Sequence, residues 1–379
     1  MTAVLSQREL NRATLARQLL LQRADLPVDE VVEHLVGLQA QTPHSWYVGL
    51  WSRIADLDAA QASAMLVDRS LVRVALMRST IHLVTAADAR GLRAVVQPVL
   101  DRDLFTNGTH GRPIRGVDAE AMTSAGSALL AERPMTAKEL GAQLQSEWPD
   151  VPPTTLAYAV RNLLPLVQVP PRGLWGRSGP IAHTTAESWL GPDPAPAQTV
   201  AQLVLRFLAA FGPATVADMQ RWSGLTRLRE VIDPLRPELM TFRGEAGQEL
   251  FDLPDAPRPD AETPAPPRFL YDFDNLLLSH ADRSRVITED FAVHSQRPHG
   301  PVPSVVLIDG VTSGDWTVAR DGDSAVLTVR PYRTLNATVA AGLIAEGKRL
   351  LAFMDPDAED RRVEVAGPLV PEEEPLRAV

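Results

Sequence analysis

A helix, a turn and a short capped helix occur twice in the middle of this chain. That repeat limits the fold more than any other feature of its 379 residues. In the first copy Ala119 to Glu132 carries a helical pattern. Thr136 then opens a short helix with Glu139 three residues on, the reciprocal arrangement of a capping box. In the second copy Thr199 to Phe211 reads as a helix, Gly212-Pro213 breaks it, and helices follow over Thr215 to Arg221 and Thr226 to Val231. RPMTAKELGAQL and GPATVADMQRWSGL are therefore equivalent pieces, with the spacing of a helix-turn-helix. A helix over Thr154 to Leu164 and a hairpin in LVQVPPRGLWGRSG extend the first copy.

The first hundred residues repeat the theme less regularly. Leu10, Leu15, Leu19 and Leu20 lie near helical spacing within 8–23, and Val31, Val32, Leu35 and Leu38 form an apolar stripe from Val28 to about Leu38. Pro43 ends that helix, and helical pattern resumes over Trp46 to Arg53 and Leu57 to Asp68. LVRVALMRSTIHLV then reads as two strands around Arg78-Ser79-Thr80. Helices followed by a hairpin describe a winged helix. The sequence thus predicts an α+β fold of three tandem winged-helix modules, over 1–115, 116–192 and 193–251. A Pro-, Ala- and Asp-rich linker spans 252–267. Strand patterns in RFLYDFDNLLLSH, SRVITEDFAV, PSVVLIDGVTSGDWTVARD and SAVLTVRPY, with one helix over about Leu335 to Phe353, predict a small β-barrel over 268–355. A last strand, RRVEVAG, and an acidic tail complete 356–379.

Composition removes several chemistries. The chain has no cysteine, which excludes disulfides, thiolate nucleophiles and cysteine-held metals. Only Lys138 and Lys348 supply amines, so Schiff-base chemistry has few candidates, whereas arginine suits phosphate contacts. The net charge of −10 is concentrated: Asp355 to Val379 holds eight acidic and three basic residues, and Glu249 to Glu262 five and one. Charge therefore leaves a nucleic-acid partner open. No apolar run is long enough to span a bilayer and no signal-peptide pattern opens the sequence, so a cytoplasmic protein with no membrane partner is expected. His280, His294 and His299 lack a zinc-binding spacing, and phosphate-loop and nucleophile-elbow motifs do not occur. Neither a metal nor a cofactor is expected.

Three constellations carry possible chemistry. Gln39-Ala40-Gln41 precedes Pro43; in extended backbone both amides face one side and together can hold a water molecule in a chosen orientation. The same tripeptide also describes polar side chains capping a helix end. Asp272-Phe273-Asp274-Asn275 through Ser279-His280-Ala281-Asp282-Arg283-Ser284-Arg285, around the run Leu276-Leu277-Leu278, combines carboxylate, amide, imidazole and guanidinium groups that can meet phosphates, or form a solvated turn with local ion pairs. Arg78, Thr80 and His82 lie in the first hairpin, where a wing can contact DNA; His82 in its apolar setting equally reads as a core histidine.

In order along the chain, LNRATLARQLLL, GLQAQ before WYVGLWSR, LMRSTIHLV, RGLWGRSG, and FDNLLLSHADRSRVI followed by VLIDGVTSGDW form one series. This series resembles the winged-helix family that includes the AlkZ/YcaQ-like DNA glycosylases, over about Leu5 to Asp355. The resemblance implies a C-shaped, DNA-binding architecture of three winged helices and a barrel. It implies monofunctional excision of N7-alkylated purines from double-stranded DNA, including unhooking of interstrand crosslinks. The family's Gln-apolar-Gln or Gln-apolar-Asp signature falls on Gln39, Ala40 and Gln41, the glutamine form, which resembles members that protect producers of DNA-alkylating natural products. It also implies a monomer acting at the nucleoid, with Leu71–Val84 and Asn275–Arg285 near DNA.

The chemistry agrees with that resemblance. An N7-alkylguanine already carries positive charge and leaves without a strong general acid, so the protein must stabilise oxocarbenium character and place a water near C1′. A crosslinked adduct cannot enter a snug extrahelical pocket, which favours an open cleft. Two other classes fit the pattern: a non-catalytic winged-helix regulator reading an operator, and a cleft that takes a small molecule or peptide.

Overall fold

The computed structural model describes residues 3–192, 198–295 and 303–368. His299 and the tail from residue 369 onward lie outside the described residues. The helices begin where side chains can satisfy their free N–H groups. Ser6 with Glu9, Thr136 with Glu139, Thr199 with Gln202 and Thr215 with Asp218 all form reciprocal caps. The Ala119–Glu132 helix ends where the apolar periodicity ends, and the helices Pro153–Leu163 and Val200–Phe211 follow the expected pattern within one residue.

The two hairpins nearest the N-terminus are parts of one sheet. Six strands lie in the spatial order Leu38–Gln39, Ile81–Thr85, Leu71–Ala75, Leu166–Gln168, Ala182–Thr185 and Met135–Thr136. The junction is antiparallel, with Arg73 opposite Gln168 and Val74 opposite Val167. A second sheet of three strands pairs Met240–Gly244 with Glu249–Asp252 and, in parallel, with Val4–Leu5 from the chain's start. The core is continuous through these elements: Trp46, Tyr47, Phe207, Phe211, Phe251 and Phe269 are all fully buried in it.

The C-terminal region differs from the barrel expected. Its five strands, Arg268–Leu270, Ser304–Ile308, Val311–Asp321, Ser324–Pro331 and Asp360–Val365, form an open sheet in that order. The helix Ala337–Met354 crosses it, and Gly347 packs between Phe269 of the first strand and Val363 of the last. That helix fills the space that a closed barrel would give to inward-facing strand side chains.

Two expected strands are helical turns instead. Asp274 accepts from the Leu276 N–H at 3.0 Å and so caps Asn275–Leu278. Glu289–Ser295 carries two acidic residues in its first turn, which suit the positive end of a helix.

Buried ion pairs fasten the regions together. Arg53 meets both Asp274 oxygens at 2.8 and 2.7 Å, and Arg17 meets Asp252 at 2.6 and 2.9 Å. All four side chains are excluded from solvent.

Candidate active site

The strand Leu38–Gln39 is the edge of the six-stranded sheet, with Gln39 opposite His82. Gly37 turns the chain into it with φ +85°, and a Cβ there would lie 2.5 Å from a Val84 methyl and 2.8 Å from the Leu83 carbonyl. Only glycine fits both the backbone angle and the space. The ladder continues past the strand, because the Ala40 N–H donates to the Ile81 carbonyl at 2.7 Å. The pairing therefore reaches Ala40, and the chain bends at Gln41 and Thr42 just beyond it.

The N–H and carbonyl groups of Gln39 and Ala40 are all held from outside the strand. Asn275 accepts from the Gln39 N–H at 3.3 Å and donates to the Gly37 carbonyl at 2.7 Å. Tyr271 donates to the Gln39 carbonyl at 2.9 Å. Burial, then nearby Asp274, holds the Tyr271 phenol well above its ordinary pKa, so it stays a donor. Arg73, reaching across from the strand Leu71–Ala75 on the far side of Ile81–Thr85, donates to the Ala40 carbonyl at 2.8 Å. Just beyond, Thr42 donates to Asp272 at 2.5 Å.

The two glutamine side chains are held differently. Gln39 is buried, 4 % exposed, and its Oε1 accepts from Arg78 at 2.7 Å. Gln41 is exposed, and its Oε1 accepts from the Ile81 N–H at 3.3 Å. Both donors approach a carbonyl oxygen, because neither a guanidinium nor an N–H can accept. The amide orientations are thereby assigned by chemistry, and no partner for either Nε2 occurs among the described residues.

The hairpin tip above the glutamines is strained. Arg78 and Ser79 have φ of +57° and +59°, unusual for residues with a Cβ. Ser79 is fixed at both ends: its hydroxyl donates to Asp103 at 2.8 Å, and its carbonyl accepts from Arg161 at 2.9 Å. Thr80, half-buried, donates to the Met77 carbonyl at 3.1 Å.

The remaining residues singled out in the sequence fall in varied places. His82 is buried, with Nδ1 3.0 Å from the Thr80 carbonyl; burial, and then Arg78, pushes it down to about 3, so it is neutral. Asn275 belongs to the clamp on the glutamine strand. His280 is buried 3.1 Å from the Phe211 carbonyl, and burial and Arg285 lower it to about 3. Arg285 is buried and donates to the Pro213 carbonyl at 2.9 Å and the Thr14 hydroxyl at 3.2 Å. Arg283 is half-buried, its guanidinium donating to the Leu277 carbonyl at 3.4 Å. Hence Asn275, His280 and Arg285 build the frame behind the site, while Thr80 and Arg283 keep some exposure.

Sequence reasoning missed Arg73 and Tyr271, whereas Asp272 opens the polar run that the sequence singled out. A lone arginine inside the apolar strand Leu71–Ala75 was the available signal for the first. Burial, and then Arg172, pushes Arg73 down to about 10, and its Nε and Nη1 have no partner among the described residues. No cluster of three metal-ligating side chains occurs among the described residues, and no described helix is long and apolar enough to cross a membrane.

A mixed α/β frame thus presents one amide at the end of a clamped edge strand and a second in the bend just after it. The model of the family described as DNA glycosylase AlkZ-like matches residues 32–353, and the chain belongs to that family of DNA glycosylases. A curated relative, the interstrand DNA cross-link repair glycosylase of Streptomyces sahachiroi, is 24 % identical over 339 residues, 83 % of this chain and 88 % of the relative. The solved structure of Streptomyces sahachiroi DNA glycosylase AlkZ superposes with a TM-score of 0.76 at 21 % identity, covering 96 % of this chain and all of that one.

Proposed function

We propose that the protein hydrolyses the N-glycosidic bond of N7-alkylated purines in double-stranded DNA, bulky adducts and interstrand crosslinks included. Gln39 and Gln41 hold the attacking water at C1′. The observation that carries this reading is the clamp: the short edge strand that ends at Gln39, two residues before Gln41, is bonded at the carbonyls of residues 37, 39 and 40 and the N–H groups of 39 and 40. Such fixing costs conformational freedom and has a purpose where two amides must keep a set geometry. The relative's printed role in cross-link repair supports the substrate class.

The departing base needs little help, because alkylation at N7 has already made it cationic. Water placement and stabilisation of the sugar cation remain for the protein. An amide is no general base, so the glutamine pair suits an activated lesion and not a neutral one. The helix-turn-helix units serve as winged-helix modules that line a C-shaped cleft, with Thr80 and Arg283 closest to the duplex.

Incubation with a duplex carrying one N7-methylguanine tests this. Release of the free base above the enzyme-free rate, with an alkali-labile site left behind, supports glycosidic hydrolysis. Binding at one operator-like sequence with no base release overturns it.

A further inference from the structure

The hairpin residue Arg78 invites a role as a phosphate ligand, yet its guanidinium is committed inward. One Nη donates to Gln39 Oε1 at 2.7 Å and the other to the Trp222 carbonyl at 2.5 Å. Trp222 lies in the last turn of the helix Val216–Ser223, which Gly224 closes with φ +80°. A Cβ on Gly224 would lie 2.8 Å from a Val99 methyl, so this helix end is packed against the first region without room to shift.

We infer that Arg78 is a positioning residue for glycosidic hydrolysis: it locks the Gln39 amide with Nε2 facing outward and ties that orientation to the helix Val216–Ser223. This inference rests on the assignment of Gln39 to the reaction. Its physical basis is that an amide with two unlike ends has two rotamers about its last bond. A donor-only partner 2.7 Å from Oε1 admits only one of them. A second anchor on a helix carbonyl keeps the guanidinium from following the glutamine if it turns.

The surroundings make Arg78 a poor phosphate ligand and a good fixture. The left-handed backbone at Arg78 and Ser79 is what points the side chain back over the edge strand, and Asp103 and Arg161 hold that backbone through Ser79. Burial, and then Arg221, pushes Arg78 down to about 10, still charged at neutral pH. A cation beside the site opposes the developing sugar cation, a cost that geometry for Gln39 offsets. The charge also polarises the amide, which makes Nε2 a stronger donor toward water or substrate.

The test measures single-turnover excision at saturating protein, duplex affinity and its salt dependence for Arg78→Met, Arg78→Lys and Gln39→Ala, using the N7-methylguanine duplex. The expected result is a fall of tenfold or more in the rate for Arg78→Met. Arg78→Lys, which keeps one donor for Oε1, recovers a large part of it. Affinity and salt slope stay unchanged in both. Weaker binding with a salt slope reduced by about one and a normal saturated rate would make Arg78 a phosphate contact and overturn the inference. Equal rates in the Lys and Met variants would also overturn it, as that pattern belongs to a packing role. If Arg78→Met fails to fold, the Lys variant decides: a rate indistinguishable from the parent supports the lock, and loss in parallel with thermal stability contradicts it. Full activity of Gln39→Ala would sink the assignment of the glutamine itself, whatever Arg78 does.

Discussion

The Tyr271 hydroxyl donates to the main-chain carbonyl of Gln39 across 232 positions of sequence, at 2.9 Å. The strand that ends at Gln39 is therefore held in place by the C-terminal region. Asp274, three residues after Tyr271, meets Arg53 in the same region, so one short segment both joins the parts and shapes the site.

Removing the hydroxyl by Tyr271→Phe leaves the buried Gln39 carbonyl without that donor. Loss of one such partner costs about 1–3 kcal/mol. The expected outcome is a stability loss of that size in urea, with a slower excision rate and unchanged duplex affinity. Unchanged rate and stability would show that the carbonyl is satisfied without Tyr271.

Asp274→Ala strands the fully buried Arg53 guanidinium. Breaking a buried pair from one side costs about 3–5 kcal/mol. Asp274→Asn keeps an acceptor and should lose less. Denaturant titration of both variants checks the order; equal losses would deny that charge compensation matters at this junction.

Acid sensitivity has a defined window. Burial, followed by neighbouring arginines, lowers His82 and His280 to about 3 and His183 to about 4. Below an unfolded value near 6.5 the denatured chain takes up protons that the folded chain refuses. Stability from these residues is thus complete above about pH 6.5 and falls as pH drops toward 4. The slope approaches roughly 1.4 kcal/mol per pH unit for each histidine. Glu249, held near 2 by Arg236, adds stability that is complete above about pH 4.5 and is lost only as pH falls below that. Unfolding free energies at pH 7.5, 6 and 5 measure it, and a flat profile would refute buried neutral histidines.

Arg283, half-buried beside the frame, keeps part of its guanidinium side open to a phosphate. Arg283→Ala should weaken duplex binding about equally for all sequences and reduce the slope of log affinity against log salt by about one. A rate change at saturation with no affinity change would place it in the reaction instead.

Legibility in the sequence followed the range of the interactions. Thr136 with Glu139 and Thr215 with Asp218 announce their helices because a cap is local. The Gln-Ala-Gln tripeptide before Pro43 left an extended stretch and a capped helix end both open, and the strand proves to end at Gln39. Its partners Tyr271, Asn275 and Arg73 come from distant elements, and a single buried hydrogen bond leaves no periodic trace. The barrel was misjudged for a related reason: alternation in Val311–Asp321 and Ser324–Pro331 reveals strands, not whether the sheet's edges meet. In Asn275–Leu278 three leucines imitate a buried strand, and the Asp274 cap decides for a helix. Asn275, His280 and Arg285 drew attention by their chemistry, which the fold uses for internal bonds.

The central claim is that Gln39, on a pinned edge strand, and Gln41, in the bend after it, serve hydrolysis. Its most direct measurement is excision from the N7-methylguanine duplex by the parent, Gln39→Ala and Gln41→Ala proteins, corrected for spontaneous depurination. The account predicts base release above the enzyme-free rate and a loss of at least about tenfold in each variant, with duplex affinity retained. Parent-like excision by both variants would contradict it.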